Sequence, residues 1–359
     1  MDTDGTDQGF WKGRRIFLTG HTGFKGSWLS MMLSRLGAVV CGYSLDPPTT
    51  PSLYDAATVG TLIDSDVRAD VGDLDAVRSA MNAFQPELVL HLAAQSLVRQ
   101  SYVDPIETYR TNVMGSLHVM EAVRGCASVK AMINVTTDKC YAQEGRGVPF
   151  KEADPMGGAD PYSNSKGCSE LVTACYRRSF MQPEGGALLA SARAGNVIGG
   201  GDWARDRLLP DCYRAFAEGH PLTIRYPGAV RPWQHVLEPL AGYLRLARRL
   251  LEGKADCATG WNFGPAAADA LTVGDVATMA CTTWGEGAAW HSDEQDHPHE
   301  EGWLQLDSSA ATTRLNWQPR LDAATAVAWT IQWYRDYHRD GAARALCLDQ
   351  IERYAEEGS

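Results

Sequence analysis

Tyr162 and Lys166 are the two residues whose types and spacing most directly suggest acid–base chemistry. They stand four positions apart at the start of a predicted helix, just after Pro161. This spacing puts both side chains on one face of the helix. A lysine ammonium beside a phenol stabilises the phenolate, which lowers the pKa of the tyrosine and makes it a base for a hydroxyl proton. A solvated helix face has the same spacing, so the pair alone does not define a site.

A second polar cluster, residues 136–139, directly follows a predicted buried strand over residues 130–135. In an open parallel sheet, ligands bind outside the carboxyl ends of the strands. Thr137, Asp138 and Lys139 would therefore lie at the edge where chemistry takes place. Together with Tyr162 and Lys166, and with a glycine-rich turn near the N-terminus, this order of features predicts an active site.

The glycine-rich turn contains Gly20, Gly23 and Gly26, between a predicted strand over 15–19 and a predicted helix over 26–36. Glycines at such a turn let the backbone approach a pyrophosphate, and the helix N-terminus offers free N–H donors to the anion. The spacing is GxxGxxG rather than GxGxxG, and an ordinary strand–helix turn is the alternative. Its place at the first strand of an alternating pattern favours a dinucleotide site.

Asp46 lies just beyond the second predicted strand, where an acidic residue commonly holds the adenosine ribose. It also precedes Pro47 and Pro48, so capping that turn is an equally good interpretation. No arginine follows the second strand in the chain, which favours NAD over NADP.

Strand-like and helix-like segments alternate through the first half of the chain. Predicted strands over 38–43, 87–92 and 130–135 alternate with predicted helices over 112–123 and 162–180. This alternation predicts an α/β fold with a doubly wound parallel sheet, the Rossmann arrangement. Right-handed crossovers then bring the carboxyl ends of the strands to one edge.

From about residue 199 the chain becomes rich in glycine and proline, with predicted helices over 208–218, 239–251 and 323–337. We interpret this half as a smaller mixed α/β lobe that binds substrate. The predicted division is a Rossmann domain over 10–198, completed by segments near 232–265. The lobe then comprises residues 199–231 and 266–355.

Composition restricts the class of protein. The net charge of −11 argues against a general nucleic-acid binder, because a phosphate backbone requires a cationic surface. Nine scattered cysteines with no CxxC pair indicate reduced thiols in a cytoplasmic protein, and no zinc-ligand spacing is present. No stretch is long and apolar enough to predict a membrane span. We therefore expect neither a metal nor a membrane partner.

Longer motifs resemble the extended short-chain dehydrogenase/reductase family and, within it, the branch of CDP-glucose 4,6-dehydratases. The resemblance runs from Phe10 to about Arg320. Short patterns such as YxxxK identify only the superfamily, whereas the long strings around Lys25, Lys139 and Trp203 are more selective. The matching segments are residues 20–29, 45–53, 91–95, 135–141, 154–158, 160–167, 192–203, 231–236 and 297–300.

The resemblance implies NAD as cofactor and a nucleotide sugar as substrate, with oxidation at C4, loss of water from C5 and C6, and return of the hydride to C6. It implies that Tyr162 removes the O4 proton, that Thr137 hydrogen-bonds the same oxygen, and that Asp138 protonates the departing hydroxyl. Lys139 stands where many nucleotide-sugar dehydratases carry a glutamate as the C5 base. It either serves as that base or only orients Asp138 through an ion pair.

The resemblance also implies binding residues. Cofactor contacts fall on the glycine turn with its neighbours and on the positions that follow later strands: Gly20, Gly23, Phe24, Lys25, Gly26, Asp46, Asp70, Val71, Leu92, Ala93, Ala94, Thr111, Tyr162 and Lys166. Asn196 is expected near the sugar. Arg231 is the best candidate for the diphosphate, because a guanidinium matches phosphate oxygens. His299 and Glu300 are expected over the ribose or base, or else in a loop salt bridge.

Two rival functions share parts of this pattern. A nucleotide-sugar 4-epimerase uses the tyrosine, the lysine and NAD but needs no acid to expel water, so Asp138 and Lys139 favour a dehydratase. A non-catalytic NAD-sensing or scaffold protein would be expected to lose Tyr162 or Lys166. Family members commonly pair as dimers, and apolar stripes on the helices near 115 and over 323–337 fit a homodimer. The same stripes would also fit core packing.

Overall fold

The structure is a computed structural model that describes residues 8–142, 147–181, 186–266, 270–285, 287–293 and 304–357. Thirteen strands in these residues are numbered in chain order: β1 Arg15–Thr19, β2 Val39–Ser44, β3 Ser65–Arg68, β4 Leu88–His91, β5 Ala131–Val135, β6 Leu188–Arg193, β7 Val197–Ile198, β8 Leu222–Ile224, β9 Val230–Pro232, β10 Gln234–His235, β11 Gly260–Asn262, β12 Ala270–Thr272 and β13 Trp290–Ser292.

The α-helices of the described residues are numbered in the same way: α1 Gln8–Trp11, α2 Phe24–Arg35, α3 Leu53–Ala56, α4 Leu74–Phe84, α5 Val98–Val103, α6 Pro105–Tyr109, α7 Ser116–Arg124, α8 Pro161–Ser179, α9 Leu208–Ala217, α10 Leu237–Leu251, α11 Val273–Trp284, α12 Ser309–Leu315, α13 Ala323–Asp340 and α14 Ala343–Glu356. A π-helical turn, Arg110–Gly115, joins α6 to α7.

Seven strands form one parallel sheet in the order β11-β6-β5-β4-β1-β2-β3. The order reverses between β1 and β4, and a doubly wound sheet binds its ligand at that switch point. This confirms the expected α/β fold with a doubly wound parallel sheet. The late strand β11 pairs with β6, so residues far along the chain complete the sheet.

Two apolar layers cover the sheet, because alternate side chains of each strand point to opposite faces. On one face, Phe17 and Val89 pack with residues of α4 and α7. On the other, Ile16 and Leu88 pack with residues of α2, α10 and α13. Both faces are covered, which explains why β4 and β5 are entirely buried runs without polar alternation.

The predicted strands over 15–19, 38–43, 87–92 and 130–135 are confirmed within one residue at each end as β1, β2, β4 and β5. The predicted helix over 112–123 differs at its start, where Arg110–Gly115 is π-helical. The close approach of the Val71 side chain to Gly115, whose added Cβ would lie 2.7 Å from Val71 Cγ2, accompanies this irregular turn.

A smaller group of helices and short strands forms the second part of the molecule. Its core is built from buried side chains of α9, α11 and α13, including Phe216, Val276 and Ile331. The strands pair only in twos: β7 with β10, β9 with β12, and β8 with β13. The apolar stripe of α13 is therefore core, and its residues Ile331 and Trp333 are buried within the chain. It does not supply the free face that a dimer contact requires.

Glu238 ties three late segments of the chain together. Its buried carboxylate accepts hydrogen bonds from the backbone N–H of Arg320 at 2.9 Å and of Leu321 at 2.8 Å, and from the Tyr354 hydroxyl at 2.8 Å. It thereby links α10, the segment after α12, and α14. Despite these donors, burial raises the pKa of Glu238 to about 7.

This raised pKa predicts a specific pH dependence of stability. The folded protein holds a proton on Glu238 that the unfolded chain releases between the ordinary pKa of 4.5 and about 7. The free energy of unfolding therefore falls as pH rises through that window, by at most about 3 kcal/mol. Denaturant unfolding of wild type and Glu238→Gln at pH 5 and pH 8 measures the difference, which should be smaller in the variant.

Glu356→Gln, a change at an exposed carboxylate of α14, is the matched control and should keep the wild-type pH dependence. Equal pH dependence in Glu238→Gln and wild type would contradict the assignment.

Candidate active site

Two of the three glycines in the first turn are required by close backbone contacts. Gly20 has a φ of +76°, and a Cβ there would lie 2.7 Å from the Ala93 backbone nitrogen. A Cβ on Gly26 would lie 2.1 Å from the Gly20 carbonyl oxygen. Gly23 differs, since its φ is −79° and a Cβ there would lie 3.4 Å from the same oxygen. The turn therefore depends on Gly20 and Gly26 far more than on Gly23.

The N-terminus of α2 is free to bind an anion. Its N-cap residue is Gly23, which has no side chain to accept the first backbone N–H groups, and its first turn carries no acidic residue. Free N–H groups and the positive end of the helix dipole favour a phosphate there. These residues fit the pyrophosphate of a dinucleotide. Lys25, in the same turn, has its pKa lowered to about 8 by burial and by the nearby Lys166 ammonium.

The residues predicted at the adenosine end lie around β2 and β3. The Asp46 side chain is 91% exposed and lies 3.6 Å from Arg68. Asp70 accepts hydrogen bonds from the Gly72 N–H at 2.7 Å and from Arg110 at 2.6 Å. Its neighbour Val71 is buried. Asp70 and Val71 thus lie at the end of the sheet strand next to β2, whereas Asp46 points to solvent.

No arginine follows β2 along the chain, as the sequence analysis states, but the fold brings one to the end of that strand from β3. Arg68 is the partner of Ser44 in the β2–β3 register, and its Nη1 donates to the Leu45 carbonyl at 3.4 Å. The position of Arg68 beside the end of β2 could not be predicted from the sequence, because it depends on the pairing of β2 with β3. Its guanidinium is already bound, since it forms an ion pair with Asp66 at 2.9 Å.

Leu92, Ala93 and Ala94 follow β4 and lie against the glycine turn. The backbone N–H groups of Leu92 and Ala93 both donate to the Thr19 hydroxyl at 3.1 Å. All three residues are half-buried, which leaves this segment beside Gly20 accessible to a ligand. Thr111, predicted near the cofactor, donates its hydroxyl to Glu107 at 2.8 Å.

Asp138 has the environment of a carboxylic acid that keeps its proton. Its side chain is buried, and Thr137 donates its hydroxyl to Oδ1 at 2.9 Å. Oδ2 has no hydrogen-bond partner among the described residues. It lies directly against Gly195, where an added Cβ would be 1.8 Å away. Burial raises the pKa of Asp138, although Lys139, Thr137 and Arg231 oppose the shift.

Tyr162 and Lys166 lie on α8, which begins where the sequence indicated. Asp160 caps the helix by accepting the Ser163 N–H at 2.9 Å, and Pro161 occupies the first turn. The Thr137 hydroxyl lowers the pKa of the Tyr162 phenol and donates a hydrogen bond to Asp138, so the threonine lies between the other two side chains. Lys166 donates to the Val135 carbonyl at 3.3 Å.

The expected lowering of the tyrosine pKa is wrong for this structure. Burial raises the pKa of Tyr162 to about 12, and it lowers the pKa of Lys166 to about 8. The physical reason is that desolvation penalises both the phenolate and the ammonium, and Lys166 is turned toward a carbonyl. The two residues share a helical face, but the phenol is held in its neutral form.

Lys139 is half-buried, and among the residues that the structure describes its ammonium makes no ion pair within 4 Å. Its backbone N–H donates to the Thr137 hydroxyl at 3.4 Å. The structure therefore does not contain the direct ion pair through which Lys139 would orient Asp138. Lys139 still acts on Asp138 through space, since its charge opposes the rise in the pKa of that carboxyl.

Some of the residues predicted to bind substrate lie in this site. Asn196 follows Gly195 and adopts a left-handed backbone with φ +34° next to Asp138. Arg231, on β9, is half-buried and close enough to Asp138 to lower its pKa. His299 and Glu300 lie outside the described residues. Three tryptophans from the second half of the chain are buried core residues: Trp203, Trp233 and Trp261.

A buried ion pair beneath the site was not anticipated. Arg193 donates to Glu170 through Nε and Nη2, both at 2.8 Å, and both side chains are 4% exposed. Glu170 also accepts the hydroxyls of Thr136 at 2.5 Å and Ser191 at 2.7 Å. The pair therefore joins α8 to the ends of β5 and β6. The sequence feature that could have indicated this ion pair is the four-residue spacing between Lys166 and Glu170, which places both side chains on the same face of α8.

Arg207 is a second residue that the sequence reading missed. It lies just before α9, bonds Asp202 at 2.7 Å, and its charge acts on the Tyr162 phenol. Nothing in its local pattern distinguishes it from other charged loop residues. Only the folded second part of the molecule brings it to Tyr162.

Comparisons with known proteins identify the family of this chain. A family profile described as GDP-mannose 4,6 dehydratase matches residues 17–330. The chain is 49% identical over 345 residues to the CDP-glucose 4,6-dehydratase of Salmonella typhimurium, which covers 95% of this chain and 96% of the relative. It is 28% identical over 328 residues to the dTDP-glucose 4,6-dehydratase of Streptomyces antibioticus, covering 89% and 92% of the two chains.

Solved structures share the same fold at lower identity. A UDP-glucose 4-epimerase of Thermus thermophilus in complex with NAD has a TM-score of 0.75 at 22% identity, covering 89% of this chain and 99% of that one. A dTDP-glucose 4,6-dehydratase of Streptomyces venezuelae with NAD bound has a TM-score of 0.73 at 22% identity, covering 90% and 97%.

The chain belongs to the GDP-mannose 4,6 dehydratase family of the extended short-chain dehydrogenase/reductases. It is thus a member of a family of dehydratases, and the resemblance inferred from its motifs is confirmed.

The space around Gly26 and Gly23 differs, which predicts different outcomes for the same substitution at the two positions. Gly26→Ala should disrupt the turn, because its methyl would overlap the Gly20 carbonyl, and should lower the melting temperature or prevent folding. Gly23→Ala needs only a shift of a few tenths of an ångström and should fold with near-wild-type stability. Thermal unfolding by circular dichroism compares the two, and equal stability of both variants would contradict the required contact.

Proposed function

We propose that this protein is an NAD-dependent dehydratase that converts CDP-D-glucose to CDP-4-keto-6-deoxy-D-glucose. The observation that carries the proposal is Asp138: a buried carboxyl with a raised pKa, one unpaired oxygen, and a hydrogen bond to the Thr137 that also contacts Tyr162. An acid is needed to expel water, whereas a 4-epimerase has no use for one. The high identity to the CDP-glucose 4,6-dehydratase of Salmonella typhimurium supports the choice of substrate.

The residues around the first turn fit a dinucleotide, and the proposed cofactor is NAD. Gly20, Gly26 and the uncapped N-terminus of α2 would hold its pyrophosphate, while Ala93 would lie beside it. When bound, NAD would accept the hydride from C4 of the sugar and return it to C6. Lys166 would hold its ribose near the nicotinamide, since it lies next to Tyr162 on the catalytic face of α8.

Tyr162 and Thr137 handle the O4 proton in this proposal. Tyr162 takes the proton as the hydroxyl becomes a ketone, and Thr137 hydrogen-bonds the same oxygen. Burial holds the pKa of Tyr162 high, and the Thr137 hydroxyl and the Arg207 charge, which both oppose that rise, favour the phenolate during the reaction.

Asp138 and Lys139 handle the elimination. The 4-ketone acidifies the C5 proton, which Lys139 removes as a base, and Asp138 gives its proton to the hydroxyl leaving C6. Asp138 has the required proton because burial disfavours its ionised form. Lys139 is half-buried, without an ion-pair partner in the described parts of the chain, so no carboxylate holds its side chain in the charged form. In the proposed step its neutral amine takes the C5 proton and becomes the ammonium.

Substrate binding is proposed for the residues around Asp138 on the side of the second part of the molecule. Asn196 would contact the sugar, and Arg231 would contact the diphosphate. His299 and Glu300, which lie outside the described residues, are proposed to contact the nucleoside. The predicted division is part of this proposal: a cofactor domain over 10–198, completed near 232–265, and a nucleotide-sugar lobe over 199–231 and 266–355.

A homodimer is proposed on the basis of one exposed apolar face, formed by neighbouring helices α5, α6 and α8. Its most exposed members are Tyr102 at 66%, Val103 at 77%, Ile106 at 81% and Leu171 at 59%. An apolar face of this kind marks an interaction site. Among the described residues, no helix is long and apolar enough to cross a membrane. All nine cysteines are free, which supports the expected cytoplasmic location.

Turnover in deuterated water tests the proposed reaction. Purified protein with CDP-glucose should give a product that has lost one water and carries deuterium at C5, because the C5 base exchanges its proton with solvent. UDP-, dTDP- and GDP-glucose serve as parallel substrates and should remain largely unconverted. Conversion of glucose to galactose without loss of water would instead establish an epimerase.

Two variants separate the acid from the base in the same measurement. Asp138→Asn should lose water at least about 100-fold more slowly, because an amide cannot supply the proton. It should nevertheless return CDP-glucose that has gained deuterium, since the ketone and the C5 base still operate. Lys139→Met should give neither water loss nor deuterium uptake. Deuterium uptake at the wild-type rate in Lys139→Met would eliminate Lys139 as the base.

The proposed dimer contact is tested by placing a charge on it. Ile106→Glu should dissociate the dimer, because burying an unpaired carboxylate in an apolar interface is unfavourable. Analytical ultracentrifugation should show a dimer for wild type and a monomer for the variant. Val148→Glu, at an exposed apolar residue elsewhere, should remain dimeric. A wild-type monomer would contradict the proposal.

A further inference from the structure

His91 is a buried titratable residue that the proposed reaction does not use. It ends β4, next to the switch point of the sheet, and its side chain is 1% exposed. Its Nδ1 lies 2.7 Å from the Thr19 hydroxyl, and its Nε2 lies 3.1 Å from the Ser116 hydroxyl. The imidazole thus connects the strand before the glycine turn to the first residue of α7.

The direction of each hydrogen bond follows from the donors that surround Thr19. Its hydroxyl oxygen already accepts two backbone N–H groups, those of Leu92 and Ala93, both at 3.1 Å, and the Leu92 N–H also donates to the Thr19 carbonyl oxygen at 3.2 Å. A hydroxyl oxygen has two lone pairs, so both are occupied and its proton must be donated elsewhere. The neighbour at that position is His91 Nδ1, which therefore accepts.

The other ring nitrogen then carries the hydrogen. His91 Nε2 donates to the Ser116 hydroxyl, and Ser116 donates in turn to the Asn112 carbonyl at 2.7 Å, in the π-helical turn. Ser169 of α8 donates to the same Ser116 hydroxyl at 3.1 Å. The network therefore requires one tautomer of a neutral imidazole, and it joins the glycine turn to the helix that carries Tyr162 and Lys166.

The neutral form is secured by the surroundings of His91. Burial lowers its pKa to about 3, and the Lys166 ammonium acts in the same direction. A proton on Nδ1 would also face a Thr19 hydroxyl whose lone pairs are already occupied. His91 is therefore a fixed acceptor toward Thr19 across the physiological pH range.

We propose that His91 is a positioning residue for the cofactor: by accepting the Thr19 proton it holds the Thr19 hydroxyl on the N–H groups of Leu92 and Ala93, and so fixes the segment that touches Gly20. Without that acceptor the hydroxyl must rotate, and it then releases one of the two N–H groups. The inference rests on the proposed function, because it concerns the site where NAD is proposed to bind.

A pair of substitutions distinguishes the two ring nitrogens. An asparagine oxygen approximates the position of Nδ1, and a glutamine nitrogen approximates that of Nε2. His91→Asn should keep the acceptor for Thr19 and bind NAD within about 3-fold of wild type, whereas His91→Gln should bind about 10-fold more weakly, the effect of one lost hydrogen bond. Calorimetric titration of the full-length protein with NAD measures both. Their melting temperatures should fall by similar amounts, because each variant loses one buried hydrogen bond.

A second pair approaches the same contact from the other side and retains the test if the histidine variants do not fold. Thr19→Ser should bind NAD like wild type, and Thr19→Val should match the weak binding of His91→Gln. Equal affinity in all variants, or losses of affinity that follow the melting temperature alone, would overturn the role of His91. Absence of NAD binding by wild type would instead overturn the proposed function itself.

Discussion

Exclusion of water from the side chains proposed for catalysis is the constraint on which the rest of the structure depends. Asp138, Tyr162 and Lys166 are all buried. Burial raises the pKa of Asp138 and Tyr162 and lowers that of Lys166, so it favours the uncharged form of each. Such an environment gives an acid its proton, but each buried polar group must then find partners within the chain. The ion pair of Glu170 and Arg193 meets this requirement beneath the site. The Glu170 carboxylate accepts four side-chain hydrogen bonds, two from Arg193 and one each from Thr136 and Ser191.

The parallel sheet makes this arrangement possible, because every strand ends at the same edge. Thr19, His91 and Val135 end β1, β4 and β5, and each of them contacts a group that belongs to the site. Helix α8 lies beside these strand ends and adds Tyr162 and Lys166 to the site. The polar residues thus converge without any long loop having to hold them, which suits side chains whose positions must be accurate for proton transfer.

Much of this arrangement could be predicted from local patterns. The turn at Gly20 and the start of α8 at Pro161 are encoded by residues that act within a few positions, so both were located correctly. The strands were found because each is a short apolar run. The site residues Thr137, Asp138 and Tyr162 also converge as expected, since strand order and handedness bring their elements together.

Features that depend on pairing between distant segments could not be predicted in the same way. Arg68 reaches the end of β2 only through the register of β3, and Arg207 reaches Tyr162 only through the packing of the second part of the molecule. The pKa of Tyr162 was misjudged for a related reason. Adjacency to lysine is visible in a sequence, whereas the extent of desolvation is decided by every element that covers the phenol.

The position of β11 in the sheet has a consequence for the synthesis of the chain. Strand β6 is complete at Arg193, but its outer neighbour begins only at Gly260. Until that later segment leaves the ribosome, the nascent sheet exposes β6, a strand that is buried along its whole length in the finished protein, with unpaired backbone groups, the kind of edge that recruits other chains. A fragment ended after β7 would retain this open edge permanently. The cofactor half is therefore not an autonomous folding unit, and the chain must be nearly three-quarters made before its central sheet is protected from aggregation.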